Sequence, residues 1–254
     1  MCPNIESERN FLILIPCSKR KISPGQANYQ SSGSNDQPSS DILAINELRE
    51  ELLELVKATP KLAKREENKN GILNHSSRSV KAIDLYDGNF NRKVKDRLRS
   101  SECKDRVLIV SALYGLAKLD EHLKLYDLQI KDELESTDKD KNRVYKFWKK
   151  SSLNGILYKY IESNNISTVW SLLPINYHNL FDELWNDHSG DIRCFHILIP
   201  NGGNSTNYKR ADWLNSFLKT VAFQKMMRLS SVKVAGECFT GKRIITCEMN
   251  LLPY

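Results

Sequence analysis

No apolar stretch among these 254 residues approaches the roughly 20 residues that a membrane-spanning helix needs, and the mean hydropathy is −0.50. A membrane partner is therefore not expected. A secretory address is also missing: Glu6 and Glu8 precede the short apolar run Phe11 to Ile15, and no small-residue cleavage site follows, so the expected location is the cytoplasm. The sequence has no CxxC pair and no compact Cys/His cluster. Its six cysteines (2, 17, 103, 194, 238, 247) and five histidines (75, 122, 178, 188, 196) are scattered. That spread gives zinc little support, reads as reduced thiols, and leaves no metal or other cofactor expected. Gly202-Gly203 lacks the flanking glycines and lysine of a phosphate loop or a dinucleotide fingerprint. No internal repeat or clean linker divides the chain.

What the sequence does have is positive charge. Thirty-eight Lys and Arg oppose 31 Asp and Glu, a formal net charge of +7. Residues 201–254 hold eight of the basic residues against three acidic ones. Such a surplus favours a polyanion, and nucleic acid is the natural candidate, although soluble enzymes without one can be equally basic.

Short apolar runs ending in polar loops organise the rest. NFLILIP (10–16), RVLIV (106–110), TVWSLL (168–173) and residues 192–199 read as buried strands. Helical spacing is expected after Asp41 through Leu48, Leu52 and Val56, from Ser79 to Leu85, from Phe90 to Leu98 after an Asp87-Gly88 break, and from Lys141 to Ile161. Residues 23–40, rich in Ser, Gly and Asn, read as an insertion that is either a flexible loop or an ordered surface lid, and KREENKN (64–70) as an exposed connection. Val232 to Ala235 and Arg243 to Glu248 suggest an antiparallel pair around Gly241. The expected architecture is a single mixed α/β domain: a partly parallel central sheet flanked by helices, functional loops at its carboxyl edge, and a basic C-terminal subregion at 201–254.

Three loops concentrate reactive side chains. The first is Pro16-Cys17-Ser18-Lys19-Arg20-Lys21, where a hydroxyl and three cations suit an anionic ligand and Lys21 is a nucleophile if its pKa falls. The plainer alternative leaves these cations facing solvent. The second runs from Ser111 through Tyr114 and Gly115 to Asp120, Tyr126 and Asp127. It offers aromatic rings for stacking and two carboxylates for acid/base work; a capped surface loop with an aromatic anchor is the competing account. The third joins Asn176 and Tyr177 to Asn201 and the Lys209-Arg210 patch, as amide base readers and phosphate contacts.

These motifs resemble the YaaA peroxide-stress family and a related group of small bacterial proteins. The matching pieces are IPCSKRK (15–21), the DLY-x-G region around Ala82 to Phe90, SALYGLAKLDEHLKLYDLQI (111–130), YKFW (145–148) and LLPINYHNLF (172–181). PCS followed by basic residues also resembles a motif of archaeosine-type base-modifying proteins. The Ser/Gly-rich insertion, LLPINY and the basic C-terminus depart from the family pattern. The resemblance implies a DNA partner, modified or distorted, and protection from oxidative damage. With the base-sized polar loops it points to N-glycosidic hydrolysis of damaged or modified bases. Lys19, Arg20 and Lys21 would meet phosphate or supply charge, Tyr114 and Tyr126 would face the base, and Asp120 or Asp127 would assist cleavage. A non-enzymatic DNA-protection protein and an enzyme for free nucleosides or bases are the alternatives.

Overall fold

The structure is a computed structural model that describes residues 10–22, 42, 44–101, 103–186, 192–199, 205–219 and 244–246. The elements run β1 (Phe11–Pro16), α1 (Ile45–Ala58), α2 (Pro60–Ala63), α3 (Glu66–Asn70), β2 (Ser79–Lys81), α4 (Ala82–Leu85), α5 (Asn89–Ser100), β3 (Val107–Ser111), β4 (Gly115–Lys118), β5 (His122–Lys124), α6 (Val144–Lys150), α7 (Leu153–Ser163), β6 (Thr168–Ser171), α8 (Ile175–His178), α9 (Asp182–Asn186), β7 (Arg193–Leu198), α10 (Thr206–Lys219) and β8 (Ile244–Thr246).

Six strands form one sheet in the order β4-β3-β1-β6-β7-β8; β2 and β5 pair separately and antiparallel. Among the described strands of the large sheet, only β4 runs antiparallel. The mixed α/β architecture is therefore as expected. All six residues of β1 and all five of β3 are buried, which is why these strands read as unbroken apolar runs rather than alternating ones. The chain leaves β1 for β3 on one side and later returns to β6 on the other. That reversal opens a crevice beyond the carboxyl ends of β1, β3 and β6, the usual ligand position in open α/β sheets.

Local packing changes several sequence expectations. Ser79 to Lys81 form β2 rather than helix, because β-branched Val80 is buried opposite Leu123 of β5. The 111–126 segment is not all loop. Gly115 sits at φ +63° directly opposite Ser111, and this left-handed turn reverses the chain into β4. The helix expected over 141–161 breaks in two at Ser152, which has φ +55°. β8 falls within the strand expected at 243–248 and lies parallel to β7; the antiparallel partner expected at 232–235 lies outside the described residues, as do the 23–40 insertion and Asn201. Over one face of the sheet, Trp170 stacks on Phe195 at 4.5 Å, and Phe217 of α10 meets both Trp170 and Phe11.

Candidate functional site

The loop after β1 is pinned by backbone and hydroxyl bonds, not by charge alone. The Cys17 N–H continues the β1–β3 ladder to the Val110 carbonyl at 3.0 Å. Beyond it the chain runs against residues 85–88: Ile22 N–H donates to the Leu85 carbonyl, Asp87 N–H to the Arg20 carbonyl, and Gly88 N–H to Ser18 Oγ. The Ser18 hydroxyl in turn donates to the Arg20 carbonyl. Gly88 makes this approach possible, since a Cβ there would sit 2.6 Å from that of Ser18. Arg20 lies mostly in solvent and pairs with Asp87 at 3.0 Å. Lys19 is exposed. Lys21 turns inward.

The Lys21 amine lies 4.0 Å from the centre of the Tyr126 ring and donates to the Lys19 carbonyl at 3.3 Å. Burial pushes its pKa below the ordinary lysine value, while the charges of Cys17, Asp127 and Glu67 pull it part of the way back. The Tyr126 face also favours the ammonium form. Beneath it, Tyr86 OH, Ser111 Oγ and Tyr126 OH form a buried triangle with sides of 3.2, 2.8 and 3.1 Å. With Tyr86 donating to Ser111, the triangle closes when Ser111 donates to Tyr126 and Tyr126 to Tyr86. The Tyr114 N–H also donates to Ser111 Oγ. Burial raises the pKa of both Tyr86 and Tyr126 well above the ordinary phenol value. Across the β1–β6 crevice, Cys17 Sγ meets Tyr177 OH at 3.3 Å.

Asp127 is held from both sides by residues that the sequence placed in an exposed connection. Its N–H donates to Asn68 Oδ1 at 2.7 Å, and its carbonyl accepts from Asn68 Nδ2 and Arg65, each at 3.0 Å. Arg65 forks onto Asp132 at 2.7 and 3.1 Å and reaches the Asp127 carboxylate at 3.6 Å. A charged tract hides such a role, because Arg65 and Asn68 look like their solvated neighbours. Tyr86 was missed differently: the DLY-x-G resemblance was its only signal.

The fold thus gathers Cys17, Ser18, Lys21, Ser111, Tyr126, Asp127 and Tyr177 around one edge, with Lys19 and Arg20 outside it. Asp120 is elsewhere. It is exposed and follows β4, which runs from Gly115 opposite Ser111 down to Lys118 opposite Leu108, away from the carboxyl edge. Tyr114 is buried, with its ring 5.3 Å from that of Tyr126 and its hydroxyl bonded to both backbone groups of Lys124. Gly115 is wedged against Ile45 and Trp148. Asn176 is exposed on α8, and Lys209 is exposed on α10, whereas Arg210 is buried.

Next to this crevice, His178 and His196 stack at 3.7 Å, with Trp185 on the other side of His178 at 4.5 Å. His196 Nε2 lies 2.9 Å from the Leu173 carbonyl, and burial lowers its pKa to about 4. Among the described residues no group of three or more His, Cys, Asp and Glu is placed to hold a metal ion, and no helix is long and apolar enough to cross a membrane.

An α/β sheet with a lysine, a thiol and a phenolic network at the carboxyl edge of its central strands defines the class. The family follows from comparison: a model of the peroxide stress protein YaaA family matches residues 11–196, most of the chain, and the protein belongs to that family. No curated protein matches it.

Proposed function

We propose that the protein acts on DNA carrying damaged or modified bases and cleaves the N-glycosidic bond, with Lys21 as the attacking amine and Asp127 as its proton acceptor. The observation that carries this reading is the position of the Lys21 amine, on the Tyr126 face at 4.0 Å at the edge where β1, β3 and β6 end. An amine held this way, with an anchored carboxylate among the charges acting on it, suits covalent attack on an electrophilic carbon.

The neutral Nζ bonds to the anomeric carbon as the base leaves with the glycosidic electron pair. Asp127 takes the proton that the new ammonium loses, and the departing base takes one from water. Asp127 returns that proton to the ring oxygen as the C1′–O4′ bond breaks and the nitrogen pair forms a protonated imine, which water hydrolyses to the abasic sugar, returning the amine. Lys19 and Arg20, exposed beside the site, are positioned for backbone phosphates. Membership of a peroxide-stress family agrees with a substrate damaged by oxidation.

The test incubates the purified protein with unmodified, oxidised and hypermodified DNA and with free nucleosides, with and without borohydride. Base release and a hydride-trapped protein–DNA adduct, both lost in Lys21→Met, are the expected results. Release without trapping would replace Lys21 by Asp127-activated water, tight binding without release would favour a protection role, and turnover of nucleosides alone would overturn the DNA substrate.

A further inference from the structure

A pocket lies apart from the Lys21 amine, between α1 and the turn at residues 72–75. It encloses about 360 Å³, at the small end of the roughly 300–1,000 Å³ typical of ligand pockets. Leu53, Ile72, Leu113 and Tyr114 give it apolar walls, and Lys124 lines it from β5.

Lys124 is only 1% exposed. Its amine donates to the carbonyls of Asn74 at 3.3 Å and His75 at 3.1 Å. An ammonium has three N–H groups, so two carbonyls leave one without a partner. The other lysine and arginine of this pocket are matched elsewhere: Arg49 is bonded to Glu121 and to the carbonyls of Tyr114 and Leu116, and Lys57 pairs with Glu54 at 2.6 Å. Burial lowers the Lys124 pKa, and no neighbouring carboxylate pulls it back up. A buried cation without a counter-charge is costly, and a ligand that supplied the negative charge would relieve that cost.

We propose that this pocket binds a small organic acid, a single carboxylate on a compact apolar body, with the carboxylate on the Lys124 amine and the body against Leu53, Leu113 and Tyr114. Exposed Glu50 and Glu54 on the lining disfavour ligands with more negative charge. This site is independent of the glycosidic chemistry: Lys124, which would hold the carboxylate, is not part of the Lys21 edge, and Tyr114 is the wall between the two.

The experiment titrates 3-phenylpropionate into the full chain, followed by protein NMR, with 3-phenylpropionamide and inorganic phosphate in parallel. The acid should bind saturably, the amide at least about tenfold more weakly for want of the charge-assisted bond, and phosphate should not displace the acid. Lys124→Met should weaken the acid by a similar factor. Leu53→Trp, which fills the pocket while leaving Lys124 in place, should abolish binding and keeps the test decisive if Lys124→Met does not fold. No saturable binding of the acid, equal binding of acid and amide, displacement by phosphate, or binding that persists in Leu53→Trp would overturn the proposal.

Discussion

Lys21 and Lys124 both have pKa values lowered by burial, and their surroundings differ in one respect. Around Lys21, burial is opposed by the charges of Cys17, Asp127 and Glu67, so its proton has acceptors nearby. The Lys124 amine donates to two carbonyls, and burial alone shifts its pKa, with no carboxylate opposing it. Desolvation alone therefore does not make a nucleophile. The counter-charges decide whether a buried amine is equipped to exchange a proton or to hold a ligand's charge.

The largest effect that tests this contrast is in turnover. Lys21→Met should reduce base release by more than about 10³-fold, as expected when a covalent nucleophile is lost, and should erase the hydride-trapped adduct while DNA affinity falls far less. Retention of the adduct would place the nucleophile elsewhere and break the comparison at its stronger side.

Next is the wall between the two regions. Tyr114 touches Tyr126 on one side and lines the Lys124 pocket on the other, and the following Gly115 packs on Trp148, whose Nε1 donates to the Ala112 carbonyl at 2.8 Å. Trp148→Ala should cost about 3–5 kcal/mol of stability, the range for truncating a buried Trp, and should loosen both regions together in hydrogen exchange. Loss of protection on one side alone would show that the regions do not share this support.

These parts were unequally legible in sequence. β1, β3 and β6 announce themselves because strands buried on both faces are continuous apolar runs, and the reactive loops follow them directly. Lys21 stood out in PCSKRK for that reason. Arg65, Asn68 and Lys124 did not: Arg65 and Asn68 sit in a charged tract, Lys124 is a single cation between Leu123 and Leu125, and each acquires its role from distant partners: Asp132, Asp127, and the carbonyls of Asn74 and His75. Asp120 and Asp127 looked equivalent as residues. The antiparallel run of β4 is what separates them, and it depends on the left-handed turn at Gly115.

A pH measurement sharpens the comparison by removing a confounding effect. His196 has a folded pKa of about 4 against an ordinary value of 6.5. The unfolded chain therefore binds more protons between those values, and stability falls as pH drops through that window, by at most about 3 kcal/mol. Its neutral form is kept by burial beneath His178, near the Arg210 charge and despite the Leu173 carbonyl. Denaturant unfolding from pH 7 to pH 4 should show this loss, and His196→Gln should flatten it. Above pH 7 this group is silent, so a change in turnover there reports on the Lys21 edge and not on its support.

Arg65 tests why the two amines differ. Its guanidinium offsets the Asp127 charge while fixing the Asp127 carbonyl. Arg65→Met should lower turnover roughly 10–100-fold through misplacement of the carboxylate. It should also move the acid limb of the pH profile to higher pH, because an uncompensated Asp127 holds the Lys21 proton more tightly. Arg65→Lys should restore part of both. A fall in turnover with an unmoved profile would make Arg65 a structural anchor only.

The smallest effect concerns the cations outside the site. Lys19 is exposed, whereas Arg20, although 67% exposed, is paired with Asp87 at 3.0 Å. A free lysine that neutralises one phosphate contributes about 0.9 to the slope of log affinity against log salt. A paired arginine releases less, because Asp87 already balances part of its charge. Lys19→Ala should therefore reduce the slope by nearly that amount, Arg20→Ala by less, and Asp87→Asn should increase it. If Lys19 and Arg20 reduce the slope equally, the ion pair with Asp87 does not survive on DNA. If neither changes it, the phosphate track does not pass the Lys21 edge, and the amine, however well equipped with counter-charges, serves a substrate other than a nucleic-acid strand.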